Sequence, residues 1–165
     1  MKSDDNLKTA FAGESQANRK YIAFSRKAEQ DGFPQVAKLF IAASEAETVH
    51  ALNHLRVLKE VGSTSDNLKA AKSGEAYEHT TMYPDFIKEA ESENRNDAKR
   101  TFDYANKVEK VHAGLYQEAL EAVESGKDLE IADYSVCQTC GYTVKGEAPD
   151  VCPICGSVKE RFKKV

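Results

Sequence analysis

No apolar run in this chain is long enough to cross a membrane: the longest, residues 39–43 (Leu-Phe-Ile-Ala-Ala), falls far short of the roughly 20 residues a helical span needs. The first residues, Met-Lys-Ser-Asp-Asp-Asn, lack the apolar stretch of a secretory signal, so a cytoplasmic protein is expected. There is no basic block. The 23 Lys and Arg stand against 27 Asp and Glu, a net charge of −4, which gives little electrostatic reason to bind nucleic acid or an anionic membrane. Low-complexity segments are absent, and Gly and Pro are sparse before position 126. The remainder is an ordinary globular balance, 41% hydrophobic and 30% charged over 165 residues, sufficient for one main domain with a small appendage.

The metal-philic residues are segregated. All four histidines lie between His50 and His112, and all four cysteines (Cys137, Cys140, Cys152, Cys155) lie in the last 29 residues. This predicts two chemically different modules: a helical domain over 1–130, a linker at about 126–133, and a small turn-rich domain over 134–165.

Four helices are expected in the first module. The first follows Asp4 or Asp5 and ends near Gly32, with Ala10, Glu14, Ala17, Tyr21, Phe24 and Ala28 along one stripe. The second starts near Pro34 and ends before Gly62, with a seam of Val36, Phe40, Ala43, Glu47, His50, His54, Val57 and Val61. The third covers about 67–93, with Leu68, Ala71, Glu75, Glu78 and Met82 on one face, and Pro84 is expected to kink or interrupt it. The fourth covers about 96–125, with Ala98, Phe102, Ala105, Glu109, His112, Tyr116, Ala119 and Val123 in its seam. Alternating spacings of three and four keep each set on one helix face, as in an antiparallel bundle.

Every seam carries glutamate at mid-length, and two carry histidine as well. A buried carboxylate without a partner costs several kcal/mol, and several in one layer repel each other. No Lys or Arg shares those positions. Cations would offset both penalties, and carboxylate with imidazole suits iron or manganese more than calcium. The pattern is doubled: Glu14 precedes Glu47-x-x-His50, and Glu75 and Glu78 precede Glu109-x-x-His112, with the two Glu-x-x-His units 62 residues apart. Each helical hairpin thus offers half of a dinuclear metal site, the arrangement of ferritin-like di-iron bundles. His54 shares the seam but has no counterpart in the fourth helix, where Tyr116 stands, and is read as packed or as a neighbour of a ligand. His79 is expected to face elsewhere. Tyr21 is equally compatible with core packing and with a hydrogen bond to a ligand carboxylate.

In the tail, Cys137-x-x-Cys140-Gly and Cys152-x-x-Cys155-Gly form two knuckles that present four thiolates tetrahedrally. Glycine after each second cysteine admits a left-handed backbone. The spacing alone leaves zinc, which would make the tail structural, and iron, which would make it a one-electron carrier.

Taken together, Ala-Gly-Glu14-Ser, Glu47-x-x-His50, Gly-Glu75-x-x-Glu78 running into Met-Tyr83-Pro, Glu109-x-x-His112 and the paired Cys-x-x-Cys-Gly motifs resemble the rubrerythrins over nearly the whole chain. The resemblance implies an all-α ferritin-like four-helix bundle followed by a rubredoxin-like domain. It implies two non-haem irons in the bundle and one iron on the four cysteines, with zinc as a possible substitute. Glu14, Glu47, Glu75, Glu78, Glu109 and His112 would ligate the pair, with Glu47 and Glu109 bridging. His50 would be a redox-dependent ligand exchanging with a helix-three glutamate, Glu78 by preference. Tyr21 and Tyr83 match tyrosines that hydrogen-bond ligand carboxylates, although five residues after Glu78 is off the face of an ideal helix.

The implied activity is reduction of hydrogen peroxide to water in defence against oxidative stress, with Glu14, Glu47, His50, Glu75, Glu78, Glu109 and His112 forming the catalytic centre. Electrons would come through the tail from an external NAD(P)H-dependent reductase or a rubredoxin, since the chain has no Gly-rich dinucleotide motif. The resemblance also implies a head-to-tail homodimer, pairing one subunit's tail iron with another's di-iron site across a distance that a relay within one chain is not expected to span, or a dimer of dimers. Two rival readings are a ferritin-like ferroxidase or iron store, and a di-metal bundle with a structural zinc ribbon.

Overall fold

Two long helices, α1 (Lys2–Gln30) and α2 (Pro34–Leu58), make up the first of two compact units, Met1–Gly62, in the computed structural model, which describes residues 1–165. The first helix begins earlier than its acidic residues suggest. The terminal amine reaches Asp4 at 3.1 Å, so Asp4 and Asp5 occupy the first turn, where they complement the exposed N–H groups, and neither caps the helix. At the other end Gly32 takes φ +82°, and the Gly32 and Phe33 N–H groups return to the Glu29 and Ala28 carbonyls. Pro34 then opens α2, where its missing N–H costs nothing. The hairpin closes on small side chains: Ser25, Ala28, Ala37, Ser44 and Ala51 are its buried residues. Asn18 ties the two helices, donating to the Ser44 carbonyl at 2.7 Å and the Thr48 hydroxyl at 2.8 Å.

The second unit, Ser63–Val165, starts with α3 (Thr64–Tyr77), whose first turn is capped by the Ser63 hydroxyl accepting from the Asp66 N–H. The expected single helix over 67–93 does not run through. A five-residue π-helical turn, Glu78–Met82, separates α3 from α4 (Tyr83–Ser92), and the Tyr83 N–H reaches back five residues to the Glu78 carbonyl. Pro84 has no N–H to return to Thr80, so regular α bonding fails there, and the helix is interrupted as expected, by a widened turn just upstream of the proline. Helix α5 (Asn96–Glu124) follows, and Gly126 at φ +75° ends it where the sequence predicts.

These helices repeat the first hairpin. Asn94, at φ +58°, stands 62 residues after Gly32, and its N–H and that of Arg95 return to Glu91 and Ala90 just as Gly32 and Phe33 return to Glu29 and Ala28. Tyr21, Phe24 and Phe40 form one aromatic cluster; Tyr83, Phe86 and Phe102, each 62 residues later, form another with matching Phe–Phe centroid separations of 5.6 Å. Upstream of the π turn the offset is one residue less: Glu75 answers Glu14, and His79 answers Asn18, accepting the same task by bonding the Asn106 carbonyl at 3.0 Å. The π turn therefore absorbs one extra residue, and all side chains beyond it return to the repeated face.

The tail is a three-stranded antiparallel sheet of order β2-β1-β3, formed by β1 (Tyr134–Cys137), β2 (Thr143–Lys145) and β3 (Phe162–Lys164). Within the second unit β2 lies along α5. Val108 of α5, 2% exposed, sits where a β-carbon on Gly141 would meet its Cγ1 at 3.7 Å, and Lys145 approaches Glu118 at 3.8 Å.

Candidate metal centres

In the first unit, α1 contributes Glu14 and α2 contributes Glu47 and His50. His50 Nδ1 lies 3.0 Å from Glu47 Oε2 and 4.0 Å from Glu14 Oε1. The i, i+3 spacing places Glu47 and His50 on one turn, and the antiparallel return of α1 brings Glu14 opposite them. Glu47 is largely covered, whereas His50 keeps 55% of its side chain exposed.

The second unit builds the same set from α3 and α5: Glu75, Glu109 and His112. His112 Nδ1 lies 2.8 Å from Glu109 Oε2 and 3.7 Å from Glu75 Oε1. In both sets one ligand atom from each residue falls within 4.8 Å of the others. Here the histidine is 26% exposed, and its other ring nitrogen, Nε2, meets the Thr143 hydroxyl of the tail at 3.0 Å.

Electrostatics show what these acids lack without a cation. Burial first, and then the neighbouring Glu109 and Glu78, push the Glu75 carboxyl up from 4.5 to about 7. Burial and Glu109 raise Glu78 as well. Burial followed by the negative field of Glu78, Glu109 and Glu75 raises the Tyr83 phenol. Two or three acids aimed at one point must take up protons or hold a cation, and with an imidazole beside them the donor set fits iron.

Glu78 stands beside this set rather than inside it, one turn beyond Glu75. The repeat explains its position: Glu78 occupies the place that Ala17 holds in the first hairpin, so it is a carboxylate without a counterpart there. Tyr83 comes onto the acidic face because the π turn brings a residue five positions on into line with Glu78. Tyr21 packs between Phe24 and Phe40, at centroid distances of 6.3 and 6.1 Å. His79 faces away from the carboxylates and ties the π turn to α5 through Asn106. His54 joins neither set.

In the tail, Cys137, Cys140, Cys152 and Cys155 converge, with Sγ–Sγ separations of 3.7 Å (Cys137–Cys155) and 3.6 Å (Cys140–Cys152). A metal–sulfur bond of about 2.3 Å generates a tetrahedron with edges of about 3.8 Å, whereas a disulfide is about 2.05 Å. All four thiols are free, and the geometry fits a metal. Gly141 and Gly156, at φ +86° and +75°, close the two knuckles through matching 2.9 Å bonds to the Cys137 and Cys152 carbonyls. Burial raises the Cys140 and Cys152 thiols, so thiolates there require the positive charge of an ion.

Thr143 is the functional neighbour that sequence reading did not find. It is an ordinary strand residue, and only the fold carries it to His112. The Asn18 and His79 ties were open to discovery by aligning the hairpins at offset 61 upstream of Pro84.

Comparison with known proteins agrees with this geometry. The family model described as Rubrerythrin matches residues 5–120, and that described as Rubrerythrin, rubredoxin-like domain, matches residues 136–163. The chain is 38% identical to Rubrerythrin-2 of Clostridium acetobutylicum, the match covering 96% of this chain and 94% of that protein. It is 35% identical to Nigerythrin of Nitratidesulfovibrio vulgaris over 96% of this chain and 84% of that one. Among solved structures, partially reduced nigerythrin and fully reduced, all-ferrous nigerythrin each superpose with a TM-score of 0.59 at 34% identity, covering 98% of this chain and 86% of theirs.

Proposed function

The chain belongs to the rubrerythrin family, and from that premise we propose that it reduces hydrogen peroxide to water. Its fold is the ferritin-like helical bundle with a rubredoxin-like domain, and its donor sets are those of a carboxylate–imidazole di-iron site and a four-cysteine iron site. The observation that carries the proposal is the doubling: two sets of two carboxylates and one imidazole, together with a separate four-thiolate centre on the same chain. Such a protein can store electrons at one place and spend them at another.

Iron in the two carboxylate sets supplies electrons and Lewis acidity to the reaction. The protein's side chains do the rest. Glu14, Glu47, Glu75 and Glu109 neutralise and position the ions, and His50 and His112 add one neutral nitrogen donor to each set. Reduction of one peroxide takes two electrons and two protons and yields two waters. Tyr83, beside Glu78 and the second set, carries a phenol proton and is the group placed to hand protons to the reaction. His50, exposed and with no counterpart of the Thr143 contact, is the imidazole free to leave its ion, in keeping with the ligand exchange expected of it. Electrons enter from an external NAD(P)H-dependent reductase or a rubredoxin through the tail. The setting we propose is a cytoplasmic homodimer defending against oxidative stress. No helix is long and apolar enough to cross a membrane.

The test is peroxide consumption by anaerobically reduced protein, with Glu47→Ala and Glu109→Ala as variants. Each variant is expected to lose most of its bound iron and its turnover. Full turnover in either would overturn the proposal.

A further inference from the structure

We propose that the Ser157 hydroxyl, backed by the Thr139 hydroxyl, donates to the Cys155 sulfur and raises the reduction potential of the four-cysteine iron. The proposal rests on the iron reading of the tail and adds to it two residues that hold no metal.

The tail is itself built on a repeat. Cys137-x-x-Cys140-Gly141-Tyr142 and Cys152-x-x-Cys155-Gly156-Ser157 share one spacing, 15 residues apart. Their backbones match: the Cys137 N–H reaches the Tyr142 carbonyl at 2.9 Å, and the Cys152 N–H reaches the Ser157 carbonyl at 2.8 Å. In each knuckle the N–H of that sixth residue points at the sulfur of the second cysteine, Tyr142 toward Cys140 and Ser157 toward Cys155. The side chains at the sixth position break the symmetry. Tyr142 turns its ring edge-on to Phe162 at a centroid distance of 6.4 Å. Ser157 instead brings its oxygen to 3.3 Å from Cys155 Sγ and 2.9 Å from Thr139 Oγ1, which belongs to the other knuckle. No other side-chain hydroxyl bonds a cysteine sulfur.

Proton counting fixes the direction of these bonds. A cysteine that holds a metal is a thiolate and has no proton to give. The hydrogen between Cys155 and Ser157 must then be the serine's only one, and the serine oxygen accepts from the Thr139 hydroxyl. Two O–H dipoles thus stand in line, each polarising the next, with the last aimed at sulfur. The same two bonds tie one knuckle to the other, so the donor is held in place by the fold that holds the ligand.

A four-thiolate iron carries one more negative charge in its ferrous form than in its ferric form. A fixed donor aimed at one of its sulfurs therefore stabilises the ferrous form more, and hydrogen bonds to ligand sulfur are among the levers that set such potentials. The step concerned is the uptake of one electron from the external donor by the ferric tail iron; both hydroxyls keep their protons. Ser157 and Thr139 are positioning residues, since they act through Cys155. A higher potential lets weaker one-electron donors reduce the tail.

The experiment is a spectroelectrochemical titration of the full iron-loaded chain without peroxide, following the visible absorption of the ferric tail. Ser157→Ala is expected to lower the midpoint potential by about 59 mV, a tenfold loss in the ferrous-to-ferric ratio at fixed potential, with tail iron content unchanged. Ser157→Thr is expected to restore the wild-type value. Thr139→Val, which leaves every cysteine and the serine in place, is expected to shift the potential in the same direction by less. Loss of the donor is also expected to move the sulfur-to-iron absorption to longer wavelength, a change that altered packing alone does not produce. An iron-loaded Ser157→Ala tail with the wild-type potential would overturn the proposal and leave the iron reading standing, as would an unshifted Thr139→Val if Ser157→Ala fails to fold. A wild-type tail that takes up zinc and no iron would overturn both.

Discussion

Glu75 shows at the scale of one residue what the metal does for the fold. In the metal-free protein its carboxyl is held at about 7 against an ordinary 4.5. The folded state then binds this proton more tightly than the unfolded chain does, so stability is full below the unfolded value and is lost as pH rises through the folded one. Thermal denaturation of metal-free protein is expected to give a Tm that falls by roughly 5 °C between pH 5 and pH 7.5, and Glu75→Gln is expected to flatten that slope. An unchanged slope in Glu75→Gln would show that the acids do not share a site. The convergence of these acids and histidines was legible in the sequence because burying a carboxylate has so few solutions: Glu47, Glu109 and their histidines could be read from phase alone. Thr143 was not legible, because nothing in a strand of threonine, valine and lysine signals a contact with a helix 31 residues away.

At the scale of elements the molecule is a hairpin used twice, with one residue added. The cross-ties hold each hairpin's two helices at a fixed register: Asn18 to Ser44 and Thr48 in one, His79 to Asn106 in the other. Replacing Asn18 by Leu removes its donation to the Ser44 carbonyl, which keeps the Thr48 hydroxyl, and to Thr48 itself, and is expected to cost about 1 kcal/mol in urea denaturation, with iron content unchanged. Loss of iron in Asn18→Leu at temperatures where it remains folded would mean that the tie positions the ligands as well. Helix α2, the end of α5 and the turns at Gly32 and Gly126 could be read from proline, glycine and seam spacing. The third helix could not be read correctly. Spacing rules assume 3.6 residues per turn, and a π turn breaks that assumption without any residue that announces it, so Pro84 predicted the interruption but misplaced it. For the same reason Tyr83 looked out of phase with Glu78 while lying on its face.

At the scale of the whole molecule, the proposed function divides labour between a thiolate centre that would carry single electrons and carboxylate centres that would use them in pairs. The division predicts separable losses. Cys152→Ser is expected to abolish the tail's visible absorption and turnover driven by NAD(P)H and reductase, while chemically reduced bundle iron is still oxidised once by added peroxide. If Cys152→Ser keeps reductase-driven turnover, electrons enter by another path. Mass measurement in solution belongs to this scale too: a dimer or a dimer of dimers is expected, and a 24-subunit shell would instead favour iron storage. The central claim is that two repeated sets of acids and one histidine each hold iron. Anomalous diffraction at the iron edge from crystals of the iron-loaded protein measures it most directly. The account predicts iron peaks against Glu14, Glu47 and His50, against Glu75, Glu109 and His112, and among the four cysteines; iron confined to the cysteines, with the two carboxylate sets left bare, would contradict it.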